Sequence, residues 1–182
     1  MLRVRAPSVT HSSFLTFIRG YEVAQMVIYW IAKSITFFPV SIKNASQEPV
    51  GELRSITELA YLNEQYLFEY KIKPTSTTLF APNEINVLNR QGNKLALITD
   101  PQWLRPIKID LSDGNGFTMH NKLSFRTNFV IKNKDKKLGE FNEQYFALSP
   151  RGNIKIDETH SKNKLLIASI LYVGLFKRML SI

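Results

Sequence analysis

The chain has 182 residues, of which 44% are hydrophobic and 12% aromatic, so it has enough apolar material for one domain with a buried core and is not expected to be disordered. It contains no cysteine, which excludes a disulfide framework, a thiolate nucleophile and a cysteine-ligated zinc ion and favours a reducing, intracellular compartment. Its net charge of +9 favours an anionic partner, either a phospholipid surface or a nucleic acid, without choosing between them.

The N-terminal segment from Met1 to Tyr21 has no acidic residue and is similar to a targeting sequence. Three arginines, Arg3, Arg5 and Arg19, lie among serines and threonines, as in mitochondrial presequences. A solvated basic leader or an over-extended start site is the alternative. The sequence predicts an intracellular protein, cytoplasmic and peripherally associated with membranes, and leaves a mitochondrial location open.

The next segment, Tyr21–Phe38, has apolar residues at helical spacing. These residues are Val23, Met26, Val27, Trp30 and Ile31. Polar residues interrupt the other side of the helical wheel. The pattern predicts an amphipathic helix that packs on the domain or rests on a membrane surface. We therefore divide the chain into a basic leader with this helix, residues 1–33, and a main domain, residues 34–182.

Three stretches of the main domain share one pattern of apolar and polar residues. They are VSIKNASQEPVGEL (Val40–Leu53), INVLNRQGNKLALI (Ile85–Ile98) and FVIKNKDKKLGEF (Phe129–Phe141). In each, an asparagine follows two apolar residues at alternating positions, and an apolar, a small and another apolar residue come after a short polar stretch. The asparagines lie about 45 residues apart. Alternation on both sides of a polar turn predicts a β-hairpin in each stretch.

The segments between these hairpins also have the pattern of strands, which raises the expected total to about ten to twelve short antiparallel strands. Three repeats are too few for a propeller, which has about four to eight blades. A long antiparallel sheet normally closes on itself to remove its edges. The sequence therefore predicts a mainly β fold, a closed antiparallel β-barrel of about 12 strands.

The C-terminal stretch KLLIASILYVGLF (Lys164–Phe176) is apolar on every side of a helix after its first lysine. It is too short to cross a bilayer alone, because a spanning helix takes about 20 apolar residues. A helix without a polar face must be buried, and a barrel of about 12 strands is wide enough to need a filler. We therefore expect a helix over residues 162–180 that lies inside the barrel.

Together, the hairpins and the terminal helix resemble the tubby C-terminal-like superfamily, which includes the phospholipid scramblases and the LURP-one-related proteins. The resemblance covers residues 34–182. It implies a twelve-stranded barrel around a hydrophobic C-terminal helix and, by analogy with scramblases and tubby proteins, binding of membrane phospholipid. The chain lacks the cysteine-rich palmitoylated segment of animal scramblases, and their acidic calcium-binding segment is not identifiable in it. No phosphoinositide-binding residue of tubby proteins is carried over.

Residues that would indicate catalysis or metal binding are sparse. The histidines, His11, His120 and His160, lack a second histidine at ligand spacing and a neighbouring carboxylate pair, and we interpret them as surface residues. The segment Asp110–Gly116 offers several oxygen atoms but lacks the closing glutamate of an EF-hand, so a hairpin turn is expected there. The sequence predicts a protein that is not an enzyme and has no cofactor or metal site.

Lysines are concentrated in the third hairpin and around the C-terminal helix, and we predict that they bind anionic lipid. The predicted lipid-binding residues are Lys132, Lys134, Lys136, Lys137, Lys162, Lys164, Lys177 and Arg178. Each lysine near an anionic membrane contributes about 1 kcal/mol to binding. Phe37, Phe38 and Trp103 are candidates either for insertion at the interface or for the core.

Two other functions fit the same composition. In the first, the lysines contact RNA phosphates in a basic accessory subunit of a ribonucleoprotein, organellar or not. The aromatic motif of the RRM is absent from the sequence, which counts against a familiar RNA-binding domain. In the second, the barrel is a small intracellular scaffold that binds a protein partner. No small-molecule substrate is identified.

Overall fold

The computed structural model describes residues 25–33, 38–71, 83–101, 105–122, 128–144 and 149–179. Within these ranges the chain forms twelve strands, a short 3-10 helix (Glu158–His160) and one α-helix, α1 (Lys164–Met179). The strands are β1 (Gln25–Ala32), β2 (Val40–Lys43), β3 (Pro49–Ser55), β4 (Glu58–Tyr61), β5 (Glu64–Lys71), β6 (Asn83–Leu88), β7 (Lys94–Asp100), β8 (Ile107–Leu111), β9 (Gly116–Asn121), β10 (Phe129–Asn133), β11 (Lys136–Gln144) and β12 (Arg151–Asp157).

These strands form a closed barrel in which each strand pairs antiparallel with its neighbours along the chain. The last strand, β12, pairs with β1 and completes the ring. Closure satisfies the backbone hydrogen-bonding groups that an open sheet would leave exposed at its two edges. The predicted mainly β fold, a closed antiparallel barrel of about 12 strands, is confirmed.

The barrel has two ends that differ in what they carry. The turns after β2, β4, β6, β8 and β10 lie at one end, where α1 also begins, and we call this the hairpin end. The connections after the odd-numbered strands lie at the other end, which the last turn of α1 reaches, and we call this the far end. The helix therefore runs through the barrel from the hairpin end to the far end.

The three sequence repeats form equivalent pairs of strands: β2 with β3, β6 with β7, and β10 with β11. In each pair, the apolar residue two positions before the asparagine faces the small residue of the following strand. The facing pairs are Ile42 with Gly51, Val87 with Ala96, and Ile131 with Gly139. A shift of register follows directly in each pair. The predicted hairpins are thus confirmed, and each repeat contributes four strands to the ring.

The repeated asparagines build the hairpin turns. The side chain of Asn44 accepts a hydrogen bond from the backbone N–H of Glu48 at 2.9 Å, and Asn89 accepts one from Asn93 at the same distance. A short amide side chain can take the place of a backbone acceptor in a turn, which is why asparagine suits this position. The third hairpin has a turn one residue shorter and uses Lys134 in a left-handed conformation, with φ 51°.

The helix α1 lies inside the barrel and fills its centre. Its residues 166–175 are buried on every side. The ring of Tyr172 stacks on Phe68 of β5 with centroids 3.6 Å apart. Gly174 permits a close approach to the wall, because a side chain there would begin 2.3 Å from the ring of Phe141 in β11. The predicted C-terminal helix is confirmed over Lys164–Met179, and its apolar run packs in the core.

The predicted N-terminal amphipathic helix is wrong, because Gln25–Ala32 forms β1. Ile28, Trp30 and Ala32 alternate along this strand and point into the core, where each is at most 1% exposed. The residues between them are also apolar, so the segment satisfies helical and alternating spacing at once. The segment forms a strand because it pairs with β2 on one side and with β12 on the other. The barrel accordingly begins at Gln25 and not at residue 34, and residues 1–24 lie outside the described residues.

Candidate anion-binding surface

The predicted lipid-binding residues lie at both ends of the barrel. Six of them lie toward the hairpin end, in the β10–β11 hairpin and at the start of α1: Lys132, Lys134, Lys136, Lys137, Lys162 and Lys164. Lys177 and Arg178 lie in the last turn of α1 at the far end. Because α1 has 16 residues, its ends are about 24 Å apart. The eight residues therefore do not form a single surface.

The two lysines at the ends of α1 hold the helix in place. At the hairpin end, Nζ of Lys164 lies 2.9 Å from Oε1 of Glu64. Hydrogen bonds from Tyr66 and Lys164 lower the pKa of Glu64. At the far end, Lys177 pairs with Asp100, whose side chain is only 9% exposed. The helix is thus fastened to β5 at one end and to β7 at the other, and these lysines contribute to the stability of the fold.

Lys136 and Lys137 are also paired with carboxylates. Nζ of Lys136 lies 3.6 Å from Oδ2 of Asp157, and Nζ of Lys137 lies 2.6 Å from Oε1 of Glu140. The same oxygen of Glu140 is 2.9 Å from Nζ of Lys122. Burial alone raises the pKa of Glu140, but hydrogen bonds from Lys137 and Lys122 outweigh it and lower the pKa to about 2. These pairs reduce the charge that both lysines present to a ligand.

Three members of the predicted set, Lys132, Lys134 and Lys162, have no ion-pair partner among the described residues. Lys134 and Lys162 are exposed, and Lys132 is half-buried in β10. All three lie toward the hairpin end. They are the predicted cations that are most available to an anionic ligand.

Lys132 belongs to a row of side chains that crosses four strands on the outside of the barrel. Lys108 of β8 faces Thr118 of β9, Thr118 faces Lys132, and Lys132 faces Lys137 of β11. We call these four residues the lysine row. Adjacent strands are about 4.8 Å apart, so Lys108 and Lys132 flank Thr118 closely on both sides. Lys108 and Lys132 carry like charges on either side of Thr118, and a bound anion would relieve the repulsion between them.

His120 lies beside the lysine row on the same face of β9. Its Nε2 is 3.0 Å from the hydroxyl oxygen of Thr118. Burial, and then the nearby charge of Lys132, lower the pKa of His120. Of the carboxylates on the surrounding strands, Asp110 is exposed on β8, and Glu140 is held by its two lysines. The surface around Thr118 therefore combines a hydroxyl, an imidazole and two lysines.

The other two repeats carry different side chains at the equivalent positions. Where the lysine row has Lys108, Thr118 and Lys132, one repeat has Glu58, Leu67 and Leu88, and the other has Asn153, Tyr29 and Lys43. Strand pairing is the same at all three junctions, so the difference lies in the side chains alone. Among these three junctions of the described barrel, a hydroxyl between two lysines occurs at one.

Sequence analysis identified Lys132 and Lys137 but missed Lys108, Thr118 and His120. The first two stand in a visible cluster of lysines within one hairpin. The other three come from β8 and β9, and only strand register places them beside Lys132. The available signal was that they occupy the polar positions of alternating strands, which marks them as outward-facing but does not show what they face.

Aromatic residues contribute little to this surface. Phe38 is partly buried and packs against the core, while Phe37 and Trp103 lie outside the described residues. The exposed large hydrophobic residues of the described ranges are Ile56, Leu62 and Tyr70. They lie on different connections and strands, away from the lysine row. Charge is therefore the main property that this surface offers to a partner.

A separate open groove of about 670 Å³ lies on the outside of β3, β4 and β5. Its lining includes Arg54 and Arg90 but also Glu52 and Glu64. Arg54 is engaged by Glu52 and by Glu58, whose Oε1 is 2.9 Å from the guanidinium Nη1. The mixed charge of this groove makes it a poorer match for an anion than the lysine row.

Other indications of function are few. Among the described residues, no group of three or more His, Asp or Glu side chains is placed to hold a metal ion. No helix within the described ranges is long and apolar enough to span a bilayer. That the chain is not an enzyme stays a prediction, as does its place in the tubby-like superfamily. Comparison of the chain with family models, with curated proteins and with solved structures finds no match.

Proposed function

We propose that this protein is a non-enzymatic, tubby-like or scramblase-like β-barrel that binds anionic membrane phospholipid with the lysines of its hairpin end. The observation that carries the proposal is the lysine row, which crosses the outer wall and reaches the hairpin end with Lys132 and Lys137, where the exposed Lys134 and Lys162 continue it. The closed barrel around a C-terminal helix supports the family resemblance from which the lipid ligand is taken.

The interior of the barrel is filled by α1, so a lipid is expected to bind on the outside. Residues 166–175 of α1 are buried and pack against the inner wall, so the helix takes the place that an acyl chain would need. A headgroup must therefore meet the outer surface or the hairpin end. Lysines near an anionic membrane contribute about 1 kcal/mol each, and salt weakens their effect. Three such lysines together contribute about 3 kcal/mol to a salt-sensitive attachment.

Co-sedimentation with vesicles tests the proposal. We expect the protein to pellet with vesicles that contain phosphatidylserine, to release as salt increases, and to stay in solution with pure phosphatidylcholine. The triple variant Lys132→Gln, Lys134→Gln and Lys162→Gln should lose about 100-fold in affinity, since each lysine accounts for about fivefold.

A matched control changes the net charge equally at the far end of the barrel. The triple variant Lys33→Gln, Arg105→Gln and Arg151→Gln removes three exposed cations near the far end, which are Lys33 directly after β1, Arg105 two residues before β8, and Arg151 at the start of β12. We expect it to bind anionic vesicles within about threefold of the wild type, because the Debye length at physiological salt is about 8 Å. Equal losses in both triple variants, or tighter binding to RNA than to vesicles at matched salt, would contradict the proposal.

A further inference from the structure

The outer face of β9 has two neighbouring polar side chains, one of which lies between two lysines that have no ion-pair partner among the described residues. Thr118 lies between Lys108 and Lys132, and His120 is two positions further along the strand on the same face. The Thr118 hydroxyl and Nε2 of His120 share a hydrogen bond of 3.0 Å, so protonation of His120 decides whether the hydroxyl can donate to a ligand. The four side chains come from three adjacent strands of a rigid, closed sheet.

The chemistry of these groups matches a phosphate monoester better than a phosphodiester. A phosphate monoester has three terminal oxygens and a charge of about −1.5 to −2 at pH 7. Two ammonium groups can donate hydrogen bonds to these oxygens, and when a protonated His120 gives its Nε2–H to the hydroxyl oxygen of Thr118, the O–H of Thr118 can donate as well. A phosphodiester has one negative charge and two terminal oxygens, so it would leave part of this donor set unused.

We propose that Lys108, Thr118, His120 and Lys132 form a binding site for a phosphate monoester group. If the phosphate monoester belongs to a lipid, the inference rests on the proposed function, because the site then specifies which headgroup the lysine row prefers. A soluble phosphate ester has the same chemistry, and the experiments below separate the two sources.

Protonation of His120 couples this site to pH. His120 faces Val130 on β10. The charged groups nearest to it in the sheet are Lys132 on β10 and Lys108 on β8, each one position diagonal to it through Thr118, Lys122 two positions further along the chain, and Glu140, which faces Val130 from β11 and is held by two lysines. In the free protein, burial and Lys132 lower the pKa of His120. A bound dianion favours the imidazolium and raises that pKa. Affinity for an anion of fixed charge therefore rises as pH falls through the pKa of His120.

Vesicles of matched surface potential test the headgroup preference. We expect the wild type to bind phosphatidic acid about tenfold more tightly than phosphatidylserine, the order of one additional charge-assisted hydrogen bond. Lys108→Gln and His120→Gln should each reduce this ratio to about one. The control Lys43→Gln, at the position equivalent to Lys132 in another repeat, should leave the ratio unchanged. Thermal denaturation of each variant checks that these outward-facing substitutions leave the fold intact.

Inorganic phosphate tests the same site without a membrane. Titration followed by nuclear magnetic resonance should give saturable shifts of the Thr118 amide and the His120 ring, a higher pKa of His120 in the phosphate-bound protein, and no saturation in Lys108→Gln. Saturation by phosphate together with equal binding of both vesicles supports the site and assigns it to a soluble phosphate ester.

The remaining outcomes separate this inference from the proposed function. Equal binding of both anionic vesicles with no response to phosphate would overturn the monoester site and leave phospholipid binding in place. A response to phosphate with no binding to either vesicle would overturn the membrane function alone.

Discussion

The inward positions of the three repeats carry the same kind of side chain, whereas the outward positions beside them do not. Ile42, Val87 and Ile131 point into the core and are 0% exposed. Their neighbours in the chain, which point outward, are Lys43, Leu88 and Lys132. The inward residues all meet the same demand, because together they enclose one apolar helix. No shared packing requirement applies to the outward residues, so a binding function is to be sought in the differences between repeats.

The largest expected effect follows from the equivalence of the inward positions. We expect Ile42→Ala and Ile131→Ala each to lower the free energy of unfolding by about 2–5 kcal/mol, because both leave a cavity in a filled core. Urea denaturation measures the loss. The adjacent outward substitutions Lys43→Ala and Lys132→Ala serve as controls and should change stability by less than about 0.5 kcal/mol. A small effect of either isoleucine substitution would show that the repeats are not equivalent on their inner faces.

A smaller effect distinguishes the two ion pairs that fasten α1. Lys177→Met should cost on the order of 2 kcal/mol, because it removes the ammonium partner of a carboxylate that is sheltered from water. Lys164→Met should cost less than about 1 kcal/mol, because the side chains of Lys164 and Glu64 are 40% and 50% exposed. Urea denaturation in low and high salt compares them. Equal costs for the two variants would mean that burial does not decide the strength of these pairs.

A further effect, which depends on pH, concerns the stability contributed by Glu140. Its pKa is lowered from 4.5 to about 2 in the folded protein, so the stability that it contributes is present above pH 4.5 and lost as pH falls towards 2. Glu140→Gln should therefore be less stable than the wild type at pH 7, with a difference that shrinks between pH 4.5 and 2. The free energy of unfolding at several pH values measures this. A difference that stays constant with pH would contradict it.

Much of the fold was predictable because the barrel repeats a short pattern. The alternation around Asn44, Asn89 and Asn133 shows which residues face inward, and the uncharged run from Leu165 to Phe176 shows that something must enclose it. The strand Gln25–Ala32 was mistaken for a helix because both of its faces are apolar. Its inner face meets the core and its outer face is half-buried, so alternation of polarity, which normally distinguishes strands, is missing.

The candidate site was predictable only in part. Lys132, Lys134 and Lys162 were identified from the density of lysines, but the same criterion also selected Lys164 and Lys177, which fasten the helix. A count of charges along the chain does not show which of them meet a carboxylate in space. That information depends on pairings between residues far apart in sequence, such as Lys164 with Glu64.

The sequence by itself determined the periodic inward apolar positions, the hairpin turns and the burial of the C-terminal helix. These follow from local alternation and from the cost of exposing apolar surface, both of which can be read along a single strand or helix. Only the tertiary structure decided that Gln25–Ala32 completes the ring, and that Lys108, Thr118 and Lys132 are neighbours. Strand register brings residues from separate strands to within about 5 Å of each other, and no pattern within one strand specifies which residues those will be.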